Sequence, residues 1–512
     1  MEISTRSLLK KYHDLTSFRF VEFFFFCFCA LIFINEWMLA YQLRFIPDIF
    51  DDSLKLLSGL YTSFNFIPYT DFAIVYPPGL LILSKMLSLN FASRYHAFAA
   101  IYLLLSIPIF VFVVWKSKSW FVSGALLLLL ALSISIAGDV LLNISWFVLF
   151  VATFFYLEKN GRVGKWAIPV MIGVLCFFKW ERVVVFAVLM AVGWMITHFT
   201  SHGSSKRFLY LCKATIIASL ASFGIFLLYL IMAGSEIGSA LYFVFSVPLK
   251  ILPYRSLPLP SLFPLQGNLL GVEYSVYFSL FLLVGLGLLV TRSILKEQKF
   301  EHLLFLIMPL VVLPYALGRA DSIHAFPLLS TLLLSLILFS IVEKRAIALL
   351  VVLVVYFVVN YNLFSYDPSR FLHRSSTYVD VLDLSLQDCR QATQDVDYQS
   401  LFVGRTNYSA YIYSHVMLYF INPKIKPATK YISDEPGLQN DCGDGENIAR
   451  DLARAPKPML SFLETQPQPT EKNMSSNMVS CGYIEKWLAN NPYREIGTCS
   501  HYGKEFAILL YE

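Results

Sequence analysis

The feature that most constrains this chain is a succession of apolar runs, each long enough to cross a bilayer, divided by short loops. A helix rising 1.5 Å per residue needs about 20 apolar residues to cover a hydrocarbon core roughly 30 Å thick. On that criterion the sequence predicts eleven transmembrane helices, at 21–43, 93–115, 119–137, 140–157, 166–179, 183–199, 208–232, 274–291, 303–318, 325–342 and 346–364. Only 15% of residues are charged and 57% are hydrophobic, against about 25% charged in a soluble domain. The predicted class is a polytopic α-helical membrane protein. Arg6, Lys10, Lys11 and Arg19 precede the first run as in a signal peptide, but that run is too long and lacks a small-residue cleavage site, so it reads as an uncleaved span.

Charge orients the spans, because short Lys/Arg-rich loops stay in the cytoplasm. With the N-terminus inside, five loops face the cytoplasm: Lys116/Lys118, Lys159/Arg162/Lys165, Lys206/Arg207/Lys213, Arg292/Lys296/Lys299 and Lys344/Arg345. All are short and basic. The opposite side holds Asp48, Asp51, Asp52, Asp71, Asp139 and Asp321, together with Lys179, Glu181, Arg182, Arg255, Arg319 and His324. Ionisable groups near membrane depth mark functional cavities, and their gathering on one face predicts a single outward-facing polar site. The net charge of +5 is small and lies mostly in loops, so nothing points to nucleic acid as a partner.

Two outer connections are long. Residues 44–92 contain an apolar stretch too short to cross, and residues 233–273 carry prolines at 248, 253, 258, 260 and 264. Both read as interfacial helices and turns over a cavity. The membrane part therefore covers 1–364. Beyond it, 365–512 turns polar, with β-rich runs at 398–405, 457–464 and 505–512 and helices expected at 409–420, 447–454 and 479–490. This alternation predicts a small α/β domain, extracytoplasmic if the span count is eleven. Cys389, Cys442, Cys481 and Cys499 allow two disulfides in any of three pairings, as an oxidising compartment permits, or four free thiols. Asn143, Asn407 and Asn473 head N-x-S sequons on the outer side.

The first outer loop carries the most specific motifs: Asp51-Asp52, then Pro68-Tyr69-Thr70-Asp71-Phe72, then Tyr76-Pro77-Pro78-Gly79. In this order and position they resemble the first loop of GT-C class membrane glycosyltransferases, in particular the bacterial members that use polyprenyl-phosphate sugars and are related to protein O-mannosyltransferases. Asn65 stands where that group usually has Gly, a mild change because Asn tolerates positive φ, and the second acid is Asp where Glu is commoner. Asp139 at the end of the third span and the Arg319-x-Asp321-x-x-His324 corner extend the resemblance over most of the membrane part. For residues 365–512 only the general layout matches.

The resemblance implies transfer of a sugar, with inversion, from a polyprenyl-phosphate donor to an acceptor hydroxyl on a lipid-linked glycan, lipid or protein, at the extracytoplasmic face of the plasma (inner) membrane. Such a reaction needs a carboxylate to take the acceptor proton and cations to stabilise the phosphate leaving group. Asp51 is the candidate base with Asp52 as the alternate, although both also suit the cap of a following helix. Lys179, Arg255 and Arg319 are candidates for the phosphate, each also able to pair locally. Asp71, Asp139, Asp321 and His324 are candidates for substrate binding, with turn-ending, N-cap, ion-pair and interfacial roles as their structural alternatives. No metal is required on this reading, though adjacent carboxylates offer hard oxygen ligands to Mg²⁺ or Mn²⁺. A lipid-linked glycan transporter or flippase would place polar residues mid-membrane and often show a repeat. A glycan polymerase or ligase, or a non-catalytic envelope-assembly protein, completes the set of readings.

Overall fold

The structure is a computed structural model. It describes residues 19–35, 37–38, 57–74, 79, 81, 91–117, 119–136, 140–159, 161–200, 205–250, 275–318, 322–343, 378–405, 415–432, 442–464, 482–501 and 504–512. In the membrane part these form α1 (19–35), a short α2 (57–63), α3 (Phe91–Ser117), α4 (Trp120–Ile136), α5 (Val140–Lys159), α6 (Arg162–Phe199), α7 (Ser205–Ala233) and α8 (Ile237–Lys250). Three more follow: α9 (Ser275–Glu297), α10 (Leu303–Gly318) and α11 (Ser322–Glu343).

Helices stand at ten of the eleven predicted span positions; the eleventh, 346–364, lies outside the described residues. Among the described residues, four helices are long and apolar enough to cross a membrane on their own: Ser205–Ala233, Val276–Glu297, Phe300–Gly318 and His324–Glu343. Ile101–Ser117, Trp120–Ala131, Asn143–Glu158 and Ile237–Lys250 are apolar but shorter. In α6 the apolar length is divided by Lys179, Glu181 and Arg182, with Lys179 leaving helical geometry at φ −154°, ψ 78°.

That break is a reversal. Lys165 on the first arm of α6 accepts a hydrogen bond from Tyr210 at 2.7 Å, while Gly193 on the second arm packs against Phe208. Residues 165 and 193 thus meet the same turn of α7, which requires the arms to fold back on each other. The two predicted spans 166–179 and 183–199 are these arms. Close packing follows from small residues. A Cβ on Gly164 would lie 2.7 Å from the Ala152 carbonyl oxygen, and one on Gly193 would lie 2.8 Å from the Phe208 ring.

The basic connections collect at one end of the bundle. Lys116 pairs with Glu158 at 3.2 Å, the Arg207 guanidinium donates to the Leu157 carbonyl, and Lys299 pairs with Glu343 at 3.0 Å. Phe154 against Phe305 joins these groups across the core. The core between the two ends is aromatic and aliphatic, with Trp146, Phe147, Phe150, Phe154 and Phe186 fully buried. Ile216, Ile217, Leu220 and Leu228 of α7 are exposed, as a lipid-facing stripe would be.

The C-terminal residues build α12 (Tyr378–Thr393), β1 (Ser400–Arg405), α13 (His415–Leu418), β2 (Lys426–Pro427), α14 (Cys442–Arg454), β3 (Met459–Glu464), α15 (Tyr483–Asn490), β4 (Arg494–His501) and β5 (Lys504–Tyr511). The sheet runs β2-β1-β3-β5-β4, with β2, β1 and β3 parallel, β5 antiparallel to β3, and β4 antiparallel to β5. The three β-rich runs of the sequence are β1, β3 and β5. The sequence reading does not contain α12, β2 or β4. Cys389 on α12 and Cys499 on β4 form a disulfide; of the three pairings considered, only one contains it. Cys442 and Cys481 side chains lie outside the described residues.

The two parts are joined. Tyr61, Tyr69 and Phe72 of the first outer loop, Phe226 and Leu230 of α7, and Phe243 and Val247 of α8 share one buried apolar cluster with the C-terminal domain.

Candidate functional site

The end of the bundle opposite the basic loops carries a cluster of polar side chains built on the α6 reversal. Lys179 sits at the break, 7% exposed, and Arg182 one turn later is 3% exposed. Both lie over the ring of Tyr315 from α10, at 5.8 and 5.1 Å from its centroid. Tyr315 also meets His324 of α11, with ring centroids 4.8 Å apart. Asn143 of α5, itself 4% exposed, accepts a hydrogen bond from Arg182 Nη1 at 3.3 Å. Glu181 Oε1 lies 4.0 Å from the Lys179 ammonium and is half exposed.

The balance of charge decides what this cluster can do. Removing a cation from water costs several kcal/mol even after relaxation, and each ion needs an opposite charge or a full set of hydrogen bonds. A cation over an aromatic face recovers about 0.5–2 kcal/mol. Arg182 has five N–H donors, yet among the described residues it makes one hydrogen bond, to a neutral amide, and its Nε has no partner. A buried guanidinium so provided suits an anion. Arg is the side chain best shaped to grip phosphate oxygens with two parallel donors.

The first outer loop packs at the same corner. A Cβ on Gly79 would stand 2.5 Å from the Phe177 carbonyl oxygen, so only glycine lets the backbone at position 79 approach the end of the first α6 arm this closely. Phe177 is two residues before Lys179. Nearby, the Trp180 indole donates to the Val244 carbonyl of α8 at 3.2 Å, closing the corner.

Of the residues singled out from sequence, Lys179 and His324 are brought together, through Tyr315. Asp71 is placed elsewhere. Its Oδ2 accepts the Ile67 N–H at 2.8 Å and its Oδ1 pairs with Lys426 of β2 at 2.6 Å, so it closes the loop's turn and ties it to the C-terminal domain. Asn65 adopts φ 65° at the position where the glycosyltransferase loop usually has Gly. Asp51, Asp52, Asp139, Arg255, Arg319 and Asp321 lie outside the described residues. Tyr315 and Asn143 carried no site signal in the sequence, and Arg182 was only one of several outer-side charges. Among the described residues no group of three His, Cys, Asp or Glu side chains comes together as a metal site.

A second polar centre fastens the domains. Asp444 of α14, 2% exposed, accepts hydrogen bonds from Tyr242 at 2.9 Å, Tyr431 at 3.1 Å and Lys250 at 2.5 Å. Burial, reinforced by the Asp444 charge, pushes the Tyr431 hydroxyl well above the ordinary phenol range, so it serves as a donor throughout.

Compared with known proteins, the chain matches no family model and has no significant match among curated proteins.

Proposed function

We propose that this protein is a membrane glycosyltransferase that moves a sugar from a polyprenyl-phosphate donor to an acceptor hydroxyl on the extracytoplasmic face. The observation that carries the reading is the buried Arg182 guanidinium, whose one hydrogen bond among the described residues is to a neutral amide, beside Lys179 and His324 at the corner where the first outer loop packs. Leaving-group phosphate is a dianion in the making, and donors fixed in a dry site stabilise it without reorganising. The loop that supplies Gly79 to this corner also carries Asp51-Asp52, the candidate base. The proposed orientation has the N-terminus in the cytoplasm and the C-terminal domain outside, which agrees with a Cys389–Cys499 disulfide. A divalent ion is not part of the proposed step.

Purified wild type, Asp51→Asn and Arg182→Gln are to be compared for release of polyprenyl phosphate from polyprenyl-phosphate hexose or pentose donors. Asp51→Asn should lose turnover by ~100-fold or more, the usual worth of a general base. Arg182→Gln should lose about tenfold or more, mainly through weaker donor binding. Turnover by neither wild type nor variants, or equal turnover by all three with the fold intact, would sink the proposal.

A further inference from the structure

A cleft of about 550 Å³ opens between the first outer loop, α8 and the C-terminal domain. Thr70 and Asp71 come from the loop and Glu236, Ser239 and Tyr242 from the segment around α8; the C-terminal domain supplies the stretch after β2 and one face of α14. Ligand pockets of roughly 300–1,000 Å³ are usually lined by apolar side chains, but the lining here is mostly charged, hydroxyl or amide. Its size admits a short oligosaccharide.

The α14 wall is built for a ligand by helical spacing. Asn447, Arg450, Asp451 and Arg454, at i, i+3, i+4 and i+7, share the face that lines the cleft, while Ile448 and Leu452 are buried on the other side. Several charges are already committed to joining the parts: Asp71 to Lys426 at 2.6 Å and Glu236 to Lys430 at 3.1 Å. The two arginines are not. Arg450 has an exposed pairing with Glu446 at 3.2 Å, of the kind that contributes little. Arg454 is exposed, and its charge acts on neighbouring Asp451. Asp451, held by the Thr429 hydroxyl at 3.2 Å, stands between them as an acceptor. Ser239, 7% exposed, has a hydroxyl with no hydrogen-bond partner among the described residues.

We propose that this cleft binds an oligosaccharide bearing an acidic substituent, its anionic group held by Arg450 and Arg454 and its hydroxyls by Asp451 and Asn447. Donors and acceptors alternate along one helix face, as a hydroxyl-rich ligand requires, and the arginine pair supplies the charge preference. Resting on the glycosyltransferase reading, the ligand is the acceptor glycan, bound by the same loop that carries Asp51-Asp52.

The test uses the full chain in detergent micelles, with no donor present. Binding of trigalacturonate, maltotriose and inorganic phosphate is measured by calorimetry for wild type and for Arg450→Gln/Arg454→Gln, whose exposed side chains can be changed without unfolding the domain. Trigalacturonate should bind saturably, more tightly than maltotriose or phosphate, and the double substitution should weaken it by about tenfold or more. No saturable trigalacturonate binding, binding indifferent to the double substitution, or affinity no better than that of phosphate or maltotriose overturns the proposal. Because donor turnover is measured separately, turnover without saccharide binding removes only this site. Saccharide binding without turnover removes the glycosyltransferase reading and leaves the site.

Discussion

At the scale of single residues, two aspartates of α14 make opposite predictions. Asp444 is buried among three donors, one of them the Lys250 ammonium. Asp444→Asn keeps the shape but leaves a cation facing an amide, and breaking a buried pair from one side costs on the order of 3 kcal/mol. The loss should show as a lower unfolding temperature and faster proteolysis of the C-terminal domain, and Asp444→Asn/Lys250→Met should recover part of it. Asp451 has its carboxyl raised above the usual 3.8 by burial, against lowering by Lys430 and the Thr429 hydroxyl. With the folded value above the unfolded one, the stability this group adds is full below pH 3.8 and is lost as pH rises through its folded value. Asp451→Asn should therefore raise the unfolding temperature at pH 7, and the gain should shrink as pH falls toward 4. A gain that is constant with pH would mean that burial of the charge is not the cause.

At the scale of elements, the reversal in α6 is the feature on which the site depends, and Gly79 is its most sensitive neighbour. A methyl there would meet the Phe177 backbone at 2.5 Å; overpacking of this kind costs about 1–3 kcal/mol. Gly79→Ala should lower both the unfolding temperature and donor turnover, whereas Gly224→Ala, with nothing within 4 Å, should leave both unchanged. Equal effects of the two would show that the contact with Phe177 is unimportant. The same element shows what a sequence discloses. The Lys179-Trp180-Glu181-Arg182 interruption was legible as a boundary between two spans, because charges end an apolar run. Its meeting with Tyr315 was not, since that pairing joins residues far apart in the chain and Tyr315 looks like any interfacial aromatic. In the C-terminal domain, β1, β3 and β5 were legible from their apolar residues. β4, Arg494–His501, was not, because its mostly polar edge position leaves little apolar alternation, and β2 is only two residues long. Asp444 lies in an Asp-Cys-Gly-Asp-Gly stretch that reads as a turn until tertiary contacts with Tyr242 and Lys250 give its carboxylate partners.

At the scale of the whole molecule, the disulfide and the clasp between the two parts fix one relation that topology must respect. Cys389–Cys499 closes a separation of 110 residues, and in the chain-entropy account a loop of that size stabilises by about 5 kcal/mol. A bond of this kind persists in an oxidising compartment. The domain that contains it docks on the first outer loop and α8 through Asp71–Lys426, Glu236–Lys430 and the Asp444 centre. The trans-bundle neighbours of these elements are Lys179 and Arg182 at one end, with the basic loops gathered at the other. The proposed orientation, with the basic end in the cytoplasm and the cation cluster and C-terminal domain outside, is the one in which the positive loops, the disulfide and the site agree. In a variant lacking Cys27, Cys29, Cys176, Cys212, Cys442 and Cys481, with the Cys389–Cys499 disulfide kept, a single cysteine in place of exposed Lys486 should react with a membrane-impermeant maleimide on intact cells, and one in place of exposed Lys213 only after the membrane is opened. Labelling in the reverse order would invert the bundle and put the disulfide in a reducing compartment. Labelling of both from outside would place residues 213 and 486 on one face and break the alternation on which the outward-facing site depends.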